Sequence, residues 1–152
     1  MKAYLLDTNV LIALLWSSHA QHDGAVRWFS RHRAKRWATC ALTEAGFVRI
    51  VSNPAFSRDA VTPREASSLL AANTAAGDHV FWPDVLPFAA AAACAGPRLV
   101  GHQQVTDAYL LGLALKQGGV LATLDHRIAA LTAPGSVERK SLELIAPYTS
   151  AP

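Results

Sequence analysis

The sequence predicts an α/β fold of three layers, α/β/α, with a short central parallel sheet. Three observations carry the prediction. Apolar runs of four or five residues recur at 2–6, 37–40, 79–82, 120–124 and 142–145, each short enough for a buried strand. Segments with helical spacing and recognisable caps or stops fall between them, and strands alternating with helices build parallel sheets covered on both faces. The chain has 152 residues, 51% hydrophobic and 16% charged, which suits one domain over 1–152 with a sizeable core and excludes a disordered chain.

The elements follow in order. Lys2–Leu6 reads as a buried strand ended by Asp7, and Thr8 or Asn9 then caps a helix through Leu15. A second helix is expected over about 19–33, and Trp37–Cys40 reads as a strand. The helix from Leu42 to about Val51 stops at Ser52-Asn53-Pro54, because the residue before proline avoids helical angles. Thr62-Pro63-Arg64-Glu65 is a capping box with proline at the first helical position, which assigns Glu65 a structural role. His79–Trp82 is a strand, and a short helix from about Val85 to Cys94 ends before Gly96-Pro97. The helix from about Gln104 to Gln117 ends at Gly118-Gly119. Val120–Leu124 is a strand ending at Asp125, and Leu142–Ile145 is the last.

Cys40 and Cys94 allow at most one bridge, and a chain of this length demands none, so both are read as reduced and buried. Asp7, Thr8 and Asn9 interrupt the apolar start and argue against a secretory signal. No run approaches the ~20 apolar residues of a membrane span, so a cytoplasmic location is expected. The net charge is only +3, yet Arg27, Arg31, Arg33, Lys35, Arg36, Arg49 and Arg58 share one stretch with a single acid, Glu44. Such a stretch is either a solvated face or a surface that holds a polyanion.

Four carboxylates stand where folding alone does not ask for them. Asp7 and Asp125 each follow the carboxyl end of an apolar strand, the edge where open parallel sheets bind ligands. Glu44 lies on the apolar side of its helix with Cys40, Phe47, Val48 and Val51, and Asp107 leads the stripe Leu110, Leu111, Ala114. Each has an ordinary alternative: a helix cap for Asp7, a first-turn acid for Asp107, a turn for Asp125, a buried ion pair for Glu44. Gathered at one rim, the four could not all stay ionised without a counter-charge. All-oxygen ligation suits Mg²⁺ or Mn²⁺, which activate water and stabilise charge on a phosphoryl oxygen.

The motifs Leu5-Leu6-Asp7-Thr8-Asn9-Val10-Leu11-Ile12, Leu42-Thr43-Glu44-Ala45, Val105-Thr106-Asp107-Ala108-Tyr109-Leu110 and Ala122-Thr123-Leu124-Asp125 resemble, in order and spacing, those of PIN-domain nucleases. More narrowly they resemble the VapC toxins of bacterial type II toxin–antitoxin systems, over nearly the whole chain. The resemblance implies a Mg²⁺- or Mn²⁺-dependent endoribonuclease. Asp7 and Asp107 would be metal ligands, Glu44 and Asp125 would complete the acidic cluster, and Asn9 and Thr123 would hold the acids in place. It further implies a cognate antitoxin and a homodimer. Some relatives carry another acid where this chain has Arg127, which weakens the case for a second metal.

His102, just before the Asp107 helix, is a candidate for touching the substrate or assisting a proton transfer, with a surface or capping histidine as the ordinary alternative. No Cys/His spacing marks a zinc site, and no glycine-rich phosphate loop follows the first strand. Two rival readings stay open. A phosphatase of the haloacid-dehalogenase kind would use Asp7 as a covalent nucleophile, but it usually carries a second aspartate where Asn9 stands. A non-enzymatic interaction module would use the acids only to bind basic partners.

Overall fold

The computed structural model describes residues 2–32, 35–75 and 77–149. Its sheet contains β1 (Ala3–Leu6), β2 (Arg36–Thr39), β3 (His79–Phe81), β4 (Val120–Thr123) and β5 (Leu142–Leu144). The strands lie in the order β3-β2-β1-β4-β5, and every neighbouring pair is parallel. The sequence therefore starts at the centre of the sheet, and β1 and β4 are buried along their whole length, as parallel strands covered on both faces must be. The predicted α/β/α architecture is the one observed.

Alternate side chains of β1 define the two outer layers. Ala3 and Leu5 face a core shared with α5 (Phe88–Ala92) and α6 (Val105–Lys116), while Tyr4 and Leu6 face one shared with α1 (Thr8–Leu15), α2 (His22–Arg31), α3 (Ala41–Val51) and α4 (Pro63–Thr74). Phe47, Leu6 and Leu11 on one side and Leu5, Leu110, Leu111 and Leu121 on the other are fully buried, each such side chain contributing about 1.5–3 kcal/mol. Residues Ala108–Ala114 of α6 are all buried, so this helix is covered on every side. Gly112 makes that possible: a Cβ there would stand 2.1 Å from the backbone oxygen of Ala91, so α5 lies directly on α6.

Element boundaries depart from the sequence reading where local chemistry competes with periodicity. Asp7 itself caps α1, rather than Thr8 or Asn9, accepting from the Thr8 N–H at 2.7 Å. The second helix begins at His22 rather than 19, because the His19 ring accepts from the Gln21 N–H and offers the backbone a turn instead. The helix expected from Val85 begins at Phe88, since Pro87 keeps Leu86 from helical angles, and it ends at Ala92. β3 ends at Phe81, although the Trp82 N–H still reaches the Thr39 carbonyl. The Thr62–Glu65 capping box forms as expected. Gly118, with φ +64°, takes the left-handed turn that ends α6, where a side chain would strain the backbone. Both cysteines are free, but only Cys40 is buried; Cys94 is half-exposed. Short 3₁₀ turns at Gly96–Arg98, His102–Gln104 and His126–Leu131, and the one-turn helix α7 (Val137–Lys140), were not expected. No helix among the described residues is long and apolar enough to cross a membrane.

Candidate functional site

The sheet changes direction at β1: the chain moves from β1 to β2 and β3 on one side and returns to β4 and β5 on the other. The carboxyl ends of β1 and β4 form the crevice where open α/β sheets take their ligands. The Asp7 N–H donates to the Ala122 carbonyl at 2.9 Å, which locks the two strand ends together with Asp7 between them.

Asp7 is buried, with 7% of its surface exposed, and every hydrogen bond that keeps it there comes from a residue the sequence places nearby or opposite. One oxygen accepts from the Thr8 N–H; the other accepts from the Thr123 hydroxyl at 2.7 Å and the Asn9 amide at 3.2 Å. Asn9 also donates to the Thr123 hydroxyl and accepts from the Leu124 N–H at 3.1 Å, while the Asp125 N–H donates to Thr123. Asn9 and Thr123 thus hold the Asp7 carboxylate in one orientation. The Thr123 hydroxyl makes three of these bonds, and Thr123→Val keeps its shape while removing them. That variant is expected to lose about 2–3 kcal/mol of stability, read by denaturant unfolding, because it strands a buried carboxylate and an amide.

The electrostatics of the rim follow from burial first. Burial raises the Asp7 pKa, against the lowering effect of its hydrogen bonds from Thr123 and Thr8, and the Asp125 charge raises it further. Asp107, in the first turn of α6 and half-buried, is pushed up to about 6 by burial and then by the charges of Asp7 and Asp125. Asp125 behaves in the opposite way. Its carboxylate accepts from Arg127 at 3.0 Å (Nε) and 2.8 Å (Nη2), and those bonds hold its pKa below the usual carboxylate range. It also caps the following turn through the Arg127 N–H. Asp107, Asp125 and Arg127 line one hollow of about 210 Å³ together with Gln103 and Gln104.

Three of the four predicted carboxylates therefore act on one another. Glu44 has different partners. It accepts from the Thr39 hydroxyl at 2.6 Å at the carboxyl end of β2. Thr39, its one proton spent on Glu44, in turn accepts from the His79 ring at 2.8 Å. Burial lowers the His79 pKa, and the Glu44 charge opposes that fall. Among the described residues no group of three His, Cys, Asp or Glu side chains stands ready to hold one ion between them. The donor chemistry nonetheless fits a hard cation. Mg²⁺ is commonly held by one or two carboxylates and completes its shell with water, and Asp7 and Asp107 are two carboxylates whose ionisation burial and neighbouring carboxylates resist.

The basic stretch is not gathered at this rim. Lys35 and Arg36 sit at the amino end of β2, the opposite edge of the sheet, where Lys35 donates to the Tyr4 hydroxyl at 3.0 Å. Arg27 stacks over the Tyr148 ring. Arg49 lies on α3 in a shallow hollow it shares with Glu44, Arg31 and Arg58 are exposed, and Arg33 falls outside the described residues. The cation at the acids is Arg127, which the sequence reading noticed only as a missing acid. His102 is exposed in the turn before α6.

A family model for the PIN domain matches residues 4–133. The chain belongs to the PIN-domain family. Curated relatives of this PIN-domain chain include three proteins of Mycobacterium tuberculosis. It is 43% identical to Ribonuclease VapC39 over 134 residues, covering 88% of this chain and 96% of that protein. It is 42% identical to Ribonuclease VapC38 over 127 residues, covering 84% and 88%. It is 38% identical to Ribonuclease VapC44 over 135 residues, covering 89% and 94%. A solved structure, VapBC2 from Rickettsia felis bound to a DNA fragment from their promoter, aligns with a TM-score of 0.57 at 14% identity, covering 93% of this chain and 96% of that one. At that identity the match speaks for the PIN fold alone. The ordered acidic motifs lie within the matched region.

Proposed function

We propose that the chain is an endoribonuclease, the toxin of a toxin–antitoxin pair, that hydrolyses RNA phosphodiester bonds with Mg²⁺ or Mn²⁺ held by Asp7 and Asp107. The observation that carries this reading is the gathering of three carboxylates, Asp7 between the joined ends of β1 and β4, Asp125 just beyond β4, and Asp107 of α6 on the hollow it shares with Asp125, an arrangement that favours a cation. The Ribonuclease VapC relatives supply the reaction class.

A divalent ion bound there supplies charge neutralisation at a phosphoryl oxygen and acidifies water for attack. The chain's own residues do the rest. Asn9 and Thr123 fix Asp7 so that no reorientation is needed when substrate arrives. Asp125 and Glu44 complete the acidic set, directly or through water, and orient the attacking molecule. Arg127 is exposed and on the same hollow, so its guanidinium is placed to exchange Asp125 for a phosphate oxygen. A cognate antitoxin covering the rim and a homodimer belong to the same proposal, as does a location in the cytoplasm.

Purified protein incubated with single-stranded RNA is expected to cut it in Mg²⁺ or Mn²⁺, to stop in excess chelator and to resume when the ion is restored, with new 5′ ends mapped by sequencing. Cutting that persists in chelator contradicts the metal. Phosphate release from small phosphoesters with intact RNA would favour the aspartyl phosphatase, and failure to bind Mn²⁺ would favour an interaction module.

A further inference from the structure

The face of α6 next to Asp107 borders a second hollow, of about 420 Å³, within the range of small-ligand sites. It opens between the first turn of α3, the connection before α5 and the first turn of α6. Thr106, the neighbour of Asp107 in the first turn of α6, lines it, so the hollow reaches α6 one residue from a rim carboxylate.

The lining combines two chemistries. Leu42, Phe88 and Val105 line the hollow and are 47%, 45% and 42% exposed among the described residues. The other part is polar. The buried Tyr109 hydroxyl donates to one oxygen of Asp84 through a short hydrogen bond. Burial and that bond push the Tyr109 pKa up to about 12, so the tyrosine keeps its proton and stays a donor. The second Asp84 oxygen accepts from no group among the described residues, and Asp84 itself is exposed. Phe88 stands at the start of α5, which the Gly112 contact sets against α6.

A carboxylate set in one hollow with exposed apolar side chains selects a flat ring that presents paired donors on one edge. Among the RNA bases only guanine does so, with N1–H and the N2 amino group side by side. Uracil flanks its single N–H with two carbonyls that would repel Asp84. Adenine and cytosine place an acceptor nitrogen beside their amino group. Single-stranded RNA is ordinarily read this way, by stacking unpaired bases and bonding their Watson–Crick edges.

We propose that this hollow is a base-recognition subsite that takes an unpaired guanine flanking the scissile phosphate, with Asp84 on its Watson–Crick edge and Phe88 and Leu42 against its faces. The proposal rests on the RNA-cleaving reading and adds a specificity that the reading leaves open.

The test has two arms. In the first, wild-type protein, D84N and F88A cut a randomised, unstructured RNA in Mg²⁺, and the bases flanking each cut are counted. Guanine is expected to be enriched at one fixed position for the wild type. The ratio of guanine-flanked to other cuts should fall about tenfold or more in D84N, where an amide N–H₂ faces the guanine donors, and should also fall in F88A. An unchanged ratio, or no guanine enrichment in the wild type, overturns the subsite while leaving ribonuclease activity intact. In the second arm, amide NMR shifts are followed in chelator with 5′-GMP, then with 5′-AMP. Shifts around Asp84, Phe88 and Thr106 with GMP alone, lost in D84N, support the subsite even if no RNA is cut; equal shifts with both, or none, overturn it.

Discussion

Asp7→Asn is expected to abolish RNA cleavage, with a loss on the order of 10³-fold or more, since the electrostatic help of a bound ion amounts to several kcal/mol. The fold should survive. Asn keeps the oxygen that accepts from the Thr8 N–H and removes a buried charge whose ionisation the site resists. Its new amide faces the Thr123 hydroxyl and the Asn9 amide, where Asp7 had accepted from both. The hydroxyl can turn, but the two amides then compete for one oxygen, a conflict of about 1 kcal/mol. The expected variant is folded, with a midpoint within a few degrees of wild type, and inactive. Cleavage at the wild-type rate by pure D7N protein would remove Asp7 from the mechanism.

Asp107→Asn is expected to make the metal-free protein more stable at neutral pH while weakening its hold on metal. The folded pKa of about 6 lies above the ordinary 3.8. The folded state therefore binds a proton more tightly than the unfolded chain. The stabilisation this brings is full below pH 4, falls as pH rises from about 4 to 6 and is gone above that. At neutral pH the ionised group is then a liability. Because Asp107 is half-exposed, solvent screening reduces the cost to about 1 kcal/mol. In chelator at pH 7 the variant should melt about 2–4 °C above wild type, and the gap should close as pH falls to 4. A lower midpoint in D107N at pH 7 would mean that the charge stabilises the fold. Asp125 is no such liability, because Arg127 answers its charge.

Much of this protein is readable along the chain because its information is local. Short apolar runs alternating with capped helices specify the parallel sheet, and the acids that follow β1 and β4 specify the rim. Asp7, Asn9 and Thr123 are legible for the same reason: once β1 and β4 are neighbours, their ends must meet. The remainder depends on packing across elements. Glu44 stands on an apolar helix side as read, yet its partners, Thr39 and His79, follow from β3 lying beside β2. The Asp84–Tyr109 pair joins residues 25 positions apart, and it forms because Gly112 lets α5 and the connection before it settle onto α6. The basic stretch could not be placed along the chain because closeness in sequence is not closeness in space: Lys35 and Arg36 open β2, whereas Asp7 and Asp125 follow the far ends of β1 and β4.

The account turns on Asp7 and Asp107 sharing a cation. Calorimetric titration of metal-free wild-type, D7N and D107N protein with Mn²⁺ at pH 7.5 tests this without any RNA. Saturable binding by the wild type, weakened about tenfold or more in each variant, is the predicted result. Equal affinity in all three proteins, or no binding by the wild type, would contradict it.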